Sequence, residues 1–436
     1  MDSDLPHLPV SRRGVLQASA GLGAAALCAH PAMNAGAATA EAWPNVAGLV
    51  RHYVSSGRVA NMVALLGSGD APPALAAQGR DTIGGRRHSD ADSLYRIYSM
   101  TKPVTGMAAM ALVAEGKLAL DQKLADILPK FADMQVQKIY DGPVSPENLE
   151  PAERPILIRH LLTHTAGLAY SIVQQGPIAE LMRRTGVVSG QVSKVKVPEF
   201  DRGEPAPSLK IFADRLAEIP LVYQPGTRWS YSTGLDLMGR VIEVVSGQSF
   251  DAYLQQTIFD PCGMESTFFR VPQSELHRLT MGYAVLDGQL LPIDPPTNSI
   301  FAEEPPFPMG GSGLVSSPRD YDRFLKMIAG YGTLEGRQVL PREAVEIGTS
   351  NLLPAGAAVK GTLAEGYGFG AGGRVGWKGG QRGFGWAGAA GTVGFVDLER
   401  GLRVGLFTQF MPAQTYPVHE DFEMAITRDL ARKGQS

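Results

Sequence analysis

The chain runs to 436 residues, of which 44% are hydrophobic and 19% charged, with a formal net charge of −3. This is a globular composition with core enough for one large domain or two ordinary ones. With 40 basic residues against 43 acidic ones, there is no surplus for a nucleic-acid or anionic-membrane partner. The two cysteines, Cys28 and Cys262, lack the C-x-x-C neighbour that a zinc knuckle or redox pair needs.

Residues 1–40 read as a targeting segment. "SRRGVLQ" places Arg12-Arg13 ahead of an alanine-rich apolar run that reaches about Ala29. That run is too short and too weakly apolar for a stable membrane span. Ala38-Thr39-Ala40 supplies a small-residue cleavage site. The pattern predicts a twin-arginine export signal and a periplasmic or secreted protein; a plain alanine-rich helix is the alternative. Lipidation at Cys28 is disfavoured by the bulky Leu27 before it. Cleavage after Ala40 leaves Cys262 alone, so no internal disulfide is expected.

From about Trp43 to Ile97 the pattern is a helix followed by short strands. "NMVALLGSG" is a β-rich run ended by glycine, and "SLYRIYS" alternates in the same way. After Ser99 the character changes. "VTGMAAMALVAEGKLAL" is apolar around most of its circumference, as a buried helix is, with a stop at Gly116-Lys117. Helix-like segments then dominate to about Cys262, with "IRHLLTHTAGL" and "LDLMGRVIEVVSG" the clearest. A polar stretch from Thr185 to Ser208 reads as a long surface loop, and a second loop is expected from Leu291 to Pro308. "SPRDYDRFLKMIAGYG" returns to helix. "GTVGFVDLE" and "LRVGLFTQF" are strands, and a last helix starts near Val418. The simplest assembly is one antiparallel sheet built from both chain ends, flanked by the terminal helices, with a helical region inserted.

Chemistry begins at Ser99-Met100-Thr101-Lys102-Pro103. Residues three apart share a helix face, and Pro103 is tolerated only in a first turn. The helix therefore starts near Ser99, with Lys102 one turn deeper. A serine hydroxyl needs a base to become a nucleophile. A buried lysine amine can be that base, and the helix N-terminus favours a developing oxyanion. A helix-capping serine beside a solvated lysine has the same spacing. "WSYSTGLDLMGRVIE" places Tyr231-Ser232-Thr233 just before a helix. A tyrosine there can relay a proton, although a buried tyrosine with a Ser/Thr cap looks alike.

"GFGWAGAAGT" (383–392) contains G-x-G-x-x-G. A dinucleotide loop needs a buried strand before it and a helix opening after it. Here "GWKGGQR" precedes it and the β-run "AAGTVGFVD" follows. The spacing reads as coincidence on a small-residue, site-facing edge strand, whose backbone can approach a substrate closely.

Ser99-x-x-Lys102, Tyr231-Ser232-Thr233 and Trp386-Ala387-Gly388, in that order, resemble the three motifs of the serine β-lactamase and penicillin-binding protein superfamily. The chain is most similar to its class C-like esterase branch, the family VIII carboxylesterases. "IRHLLTHTAGL", "GGSGLVSSPRDYDRFL" and "GFGWAGAAGT" extend the likeness over most of the chain beyond residue 90. The resemblance implies an α+β fold with an α/β part, about residues 41–98 and 309–436, and a helical part, about residues 99–308. It implies Ser99 as acylated nucleophile, Lys102 as base and Tyr231 in the proton relay. The backbone N–H groups of Ser99 and Ala389 would form the oxyanion hole, with Trp386, Ala387, Gly388 and Thr233 along the substrate. No cofactor and no metal are implied, and the partner is a small-molecule ester.

Two departures bear on substrate. Thr233 stands where many relatives carry Asn, whose amide reaches both lysine and substrate. Trp386 stands where β-lactamases and penicillin-binding proteins carry a cation for the substrate carboxylate. Losing that charge-assisted bond removes roughly 1.5–3 kcal/mol, which favours esters over β-lactams. A β-lactamase, a D-Ala-D-Ala peptidase, a transacylase and a non-catalytic binder remain the alternatives. No G-x-S-x-G or H-E-x-x-H motif is present. His160 and His164 sit four apart on an expected helix, but without an acidic third ligand they read as packing or helix-end hydrogen bonding.

Overall fold

The computed structural model describes residues 41–195, 203–377 and 381–433. The expected export signal at 1–40 lies outside them. The apolar run of Asn61–Ser68 forms strand β1, flanked in sequence by helix α1 (Pro44–Ser55) and strand β2 (Ala74–Gly79). The chain then leaves the sheet. It passes through helix α2 (Thr101–Ala114), helix α3 (Gly234–Ser246), the hairpin of β3 (Gly282–Leu286) and β4 (Gln289–Asp294), and helix α4 (Pro318–Ala329). It returns through β5 (Gly368–Phe369), β6 (Arg374–Trp377), β7 (Gln381–Ala387), β8 (Val393–Asp397) and β9 (Leu402–Phe407), and ends in helix α5 (Val418–Lys433).

The result is α+β. One seven-stranded sheet runs in the order β5-β6-β7-β8-β9-β1-β2, and every neighbour pair in it is antiparallel. β1 from the start of the chain and β9 from its end lie side by side, with Val63 opposite Phe407. Alternate residues of a strand face opposite sides. Met62, Ala64 and Leu66 therefore join α1 and α5 in one core. Val63, Val396 and Phe407 face the other core, with α2, α3 and α4.

α2 is the central helix. Residues 101–112 are all buried, as its unbroken apolar surface requires. A side chain at Gly106 would run into the backbone of Ala371, so the helix packs tightly under the β5–β6 side of the sheet. Just ahead of it, Arg96 is fully buried, donating to Asp294 at 2.7 Å and to the Thr280 carbonyl. That pair fastens the segment before Ser99 to the β3–β4 hairpin.

The structure corrects four expectations. β7 is an interior strand, because β6 pairs with it on the side away from β8; RVGW carries too few apolar residues to announce a strand. β4 occupies the first part of the expected second loop, up to Asp294. In the expected surface loop from Thr185 to Ser208, Thr185 ends a helix and Val187, Val188 and Ser189 are buried, while residues 196–202 lie outside the described ones. The helix of "IRHLLTHTAGL" covers only Ile158–Leu162. His164 has φ of 56°, a left-handed conformation that ends the helix, so His160 and His164 do not share a helix face.

Candidate active site

Tyr98–Met100 is a single 3-10 turn leading into α2. Tyr98 holds φ at 41°, a conformation a bulky residue adopts only under constraint. The turn places Ser99 at the mouth of the helix and Lys102 on the same side, as the sequence predicts. Lys102 is fully buried. Its Nζ lies 3.1 Å from Ser99 Oγ and donates to the Gly311 carbonyl at 2.6 Å. The Tyr231 hydroxyl donates to Ser99 Oγ at 2.7 Å. Lys102 Nζ also sits 4.6 Å from the centre of the Tyr231 ring and 5.8 Å from that of Tyr170. Two residues adjacent to a helix start and one residue 129 positions beyond Lys102 thus converge on one oxygen.

Tyr231 is held by an aromatic cage. His164, Trp229 and Trp386 rings stand 4.8, 6.0 and 5.9 Å from it. The His164 Nδ1 meets the Ser232 hydroxyl at 3.0 Å, and burial, reinforced by the Lys102 charge, pushes its imidazole well below the ordinary range. It is therefore a neutral packing partner. His160 is a helix-end residue: its Nδ1 accepts from the Leu157 N–H at 3.1 Å. Among the described residues no group of three or more His, Cys, Asp or Glu could hold a metal.

The third motif lies at the end of β7. Trp386 is only 8% exposed, and its indole N–H donates to the Tyr231 hydroxyl oxygen at 3.2 Å. The ring packs with Trp229, Ala364 and Phe369, so the indole braces the tyrosine. Ala387 is half-buried and Gly388 buried, and Ala389 is exposed at the turn that leads into β8. A Cβ on Gly388 would stand 2.5 Å from the Ile97 carbonyl oxygen. Only glycine lets this turn lie against the backbone just before Ser99. Thr233 is fully buried and donates to the Ala169 carbonyl at 3.2 Å, so its one donor is spent on backbone.

Sequence reasoning missed Tyr170, the Gly311 carbonyl and Asp236. Asp236 is fully buried in the first turn of α3, and its Oδ1 accepts from the Gly311 N–H at 2.9 Å. Read along the chain, an acidic residue in a first turn is explained by the helix dipole alone, so nothing marked it.

The family model described as Beta-lactamase matches residues 46–428. An uncharacterised protein of Mycobacterium tuberculosis is 35% identical over 259 residues, which are 59% of each chain. The match thus spans less than two thirds of that relative's length. Esterase EstB of Burkholderia gladioli is 30% identical over 341 residues, 73% of this chain and 77% of that one. Among solved structures, EstCE1, described as a hydrolase with promiscuous acyltransferase activity, superposes with a TM-score of 0.71 at 22% identity. That alignment covers 89% of this chain and 99% of EstCE1.

Proposed function

The chain belongs to the beta-lactamase family, and within it we propose a serine carboxylesterase that hydrolyses small to medium esters through an acyl-enzyme on Ser99. The observation that carries this reading is Ser99 Oγ, held between Lys102 Nζ at 3.1 Å and the Tyr231 hydroxyl at 2.7 Å. Both distances lie within reach of a proton transfer. Oγ attacks the ester carbonyl carbon as its proton moves to Lys102. The carbonyl C–O bond to the alcohol then breaks, and the proton passes by way of Tyr231 to the leaving oxygen. Water attacks the acyl-Ser99 carbonyl in the second half, giving up a proton along the same route, and the acid and free serine are released. The backbone N–H groups of Ser99 and Ala389 would receive the oxyanion in both steps.

The similarity to an esterase supports esters as substrates. So does Trp386, which brings no cation to the place where a β-lactam carboxylate would need one. The test is a panel of chromogenic esters against a chromogenic cephalosporin and a D-Ala-D-Ala peptide. Esters are expected to turn over fastest, with water as the main acyl acceptor. A cephalosporin turned over faster than every ester overturns the esterase reading, and acyl transfer to an added alcohol in preference to water makes the enzyme a transacylase.

Arg12-Arg13, the apolar run and Ala38-Thr39-Ala40 support export through the twin-arginine route. The free, buried Cys262 needs no partner in an oxidising compartment. Replacing both arginines by lysine is expected to retain the protein in the cytoplasm; unchanged export contradicts this assignment.

A further inference from the structure

The hydrolytic scheme leaves unused a buried carboxyl group that acts on Lys102. Asp236 has no exposure. Its Oδ1 accepts from the Gly311 N–H at 2.9 Å, and the carbonyl of the same Gly311 accepts from Lys102 Nζ at 2.6 Å. The glycine keeps the two in close contact: a Cβ there would stand 2.5 Å from Asp236 Oδ2 and push the carboxylate aside. Oδ2 has no hydrogen-bond partner among the described residues, whereas buried carboxylate oxygens nearly always have one. Burial pushes the Asp236 carboxyl up, and the Lys102 charge pulls it back down.

We propose that Asp236 is the positioning residue of the base: it pins Gly311, whose carbonyl fixes Lys102 against Ser99, and it supplies a counter-charge to the ammonium that forms when Lys102 takes the serine proton. The inference rests on the reading of Ser99 as nucleophile and Lys102 as base. The groups facing the pair come from four segments. The turn at the start of α2 brings Ser99. The segment before α3 brings Tyr231, with its ring 4.6 Å from Nζ. The stretch after residue 162 brings the neutral His164 and Tyr170. The buried start of the long loop brings Ser189, which faces the carboxylate without hydrogen-bond geometry. Among these groups Asp236 is the one carboxylate. A buried ammonium without a counter-charge is strongly disfavoured, so the charge on Asp236 bears directly on the charge on Lys102.

The test is the pH profile of kcat and kcat/KM for Asp236→Asn and Asp236→Ala in the full chain, with Lys102→Ala in parallel. Asn keeps an acceptor for the Gly311 N–H but carries no charge. Its kcat is expected within about tenfold of the parent, with the acid limb of kcat/KM moved to lower pH, because a neutral amide no longer favours the protonated amine. Ala removes pin and charge together, and kcat is expected to fall roughly a hundredfold at nearly unchanged KM. Circular dichroism reports folding; if the Ala variant does not fold, the Asn profile decides alone. An Asn acid limb that superimposes on the parent's overturns the proposal. If Lys102→Ala is inactive while the Asn profile is unshifted, only the role of Asp236 fails. If Lys102→Ala stays active, the Ser–Lys mechanism itself fails.

Discussion

The Trp386 indole N–H donates to the Tyr231 hydroxyl oxygen at 3.2 Å, while the same hydroxyl donates to Ser99 Oγ at 2.7 Å. The third motif therefore acts on the nucleophile through the second. A donor aimed at the phenol oxygen also stabilises it when it carries partial negative charge during proton transfer. Trp386→Phe keeps a ring among Trp229 and Phe369 but removes the donor. The variant is expected to lose about fivefold in kcat, the equivalent of one hydrogen bond of roughly 1 kcal/mol, with KM for a small ester little changed. Steady-state kinetics on one ester decides it. A raised KM at constant kcat contradicts the bracing role and returns the indole to the substrate side.

Gly388 sits where the turn after β7 touches the chain ahead of Ser99. An added Cβ would meet the Ile97 carbonyl oxygen at 2.5 Å, and backbone cannot swing aside as a side chain can. Gly388→Ala is expected to destabilise the fold by roughly 1–3 kcal/mol, as overpacking does. It is also expected to lower kcat by displacing the Tyr98–Met100 turn. Thermal melting and kinetics on the folded fraction check the two effects, and parent-like values for both contradict the close approach.

His160 gives a pH dependence of stability with a definite sign. Burial, with Arg159 beside it, lowers its imidazole from 6.5 to about 4, and Nδ1 is occupied as an acceptor for the Leu157 N–H. The unfolded chain takes up this proton below about 6.5 and the folded chain only below about 4. Between those values the unfolded state binds more protons. The stability is thus complete above about pH 6.5 and is lost as pH falls toward 4. His160→Gln keeps a side chain able to accept a hydrogen bond without titrating, so its Tm is expected to fall less steeply over that window. An unchanged slope contradicts the assignment.

Local patterns were legible in the sequence and long-range ones were not. Ser99 and Lys102 are one helical turn apart, so spacing and Pro103 fix their relation before any fold is known. β1, β8 and β9 are legible because each is an apolar run bounded by turn residues. β6 is not, since RVGW has only Val375 and Trp377 to signal it, and missing it turned β7 into an edge. His164 looked helical because His160, Leu161, Leu162 and His164 fit a helical spacing. Spacing cannot see that residue 164 turns left-handed. The contact between Asp236 and Gly311 spans 75 positions, and a buried acid in a first turn has the same sequence signature as a solvated one. The role of Trp386 was half legible: its position in the motif order was plain, but the direction of its N–H depends on where Tyr231 lies in space.

The central claim is that Ser99 carries the acyl group, and intact-protein mass spectrometry after rapid quenching with a slowly hydrolysed ester tests it most directly. The parent chain is expected to gain the mass of one acyl group, mapped by peptide digestion to the segment holding Ser99. Ser99→Ala is expected to show neither the adduct nor turnover. An adduct on another residue, or turnover that survives in Ser99→Ala, contradicts the account.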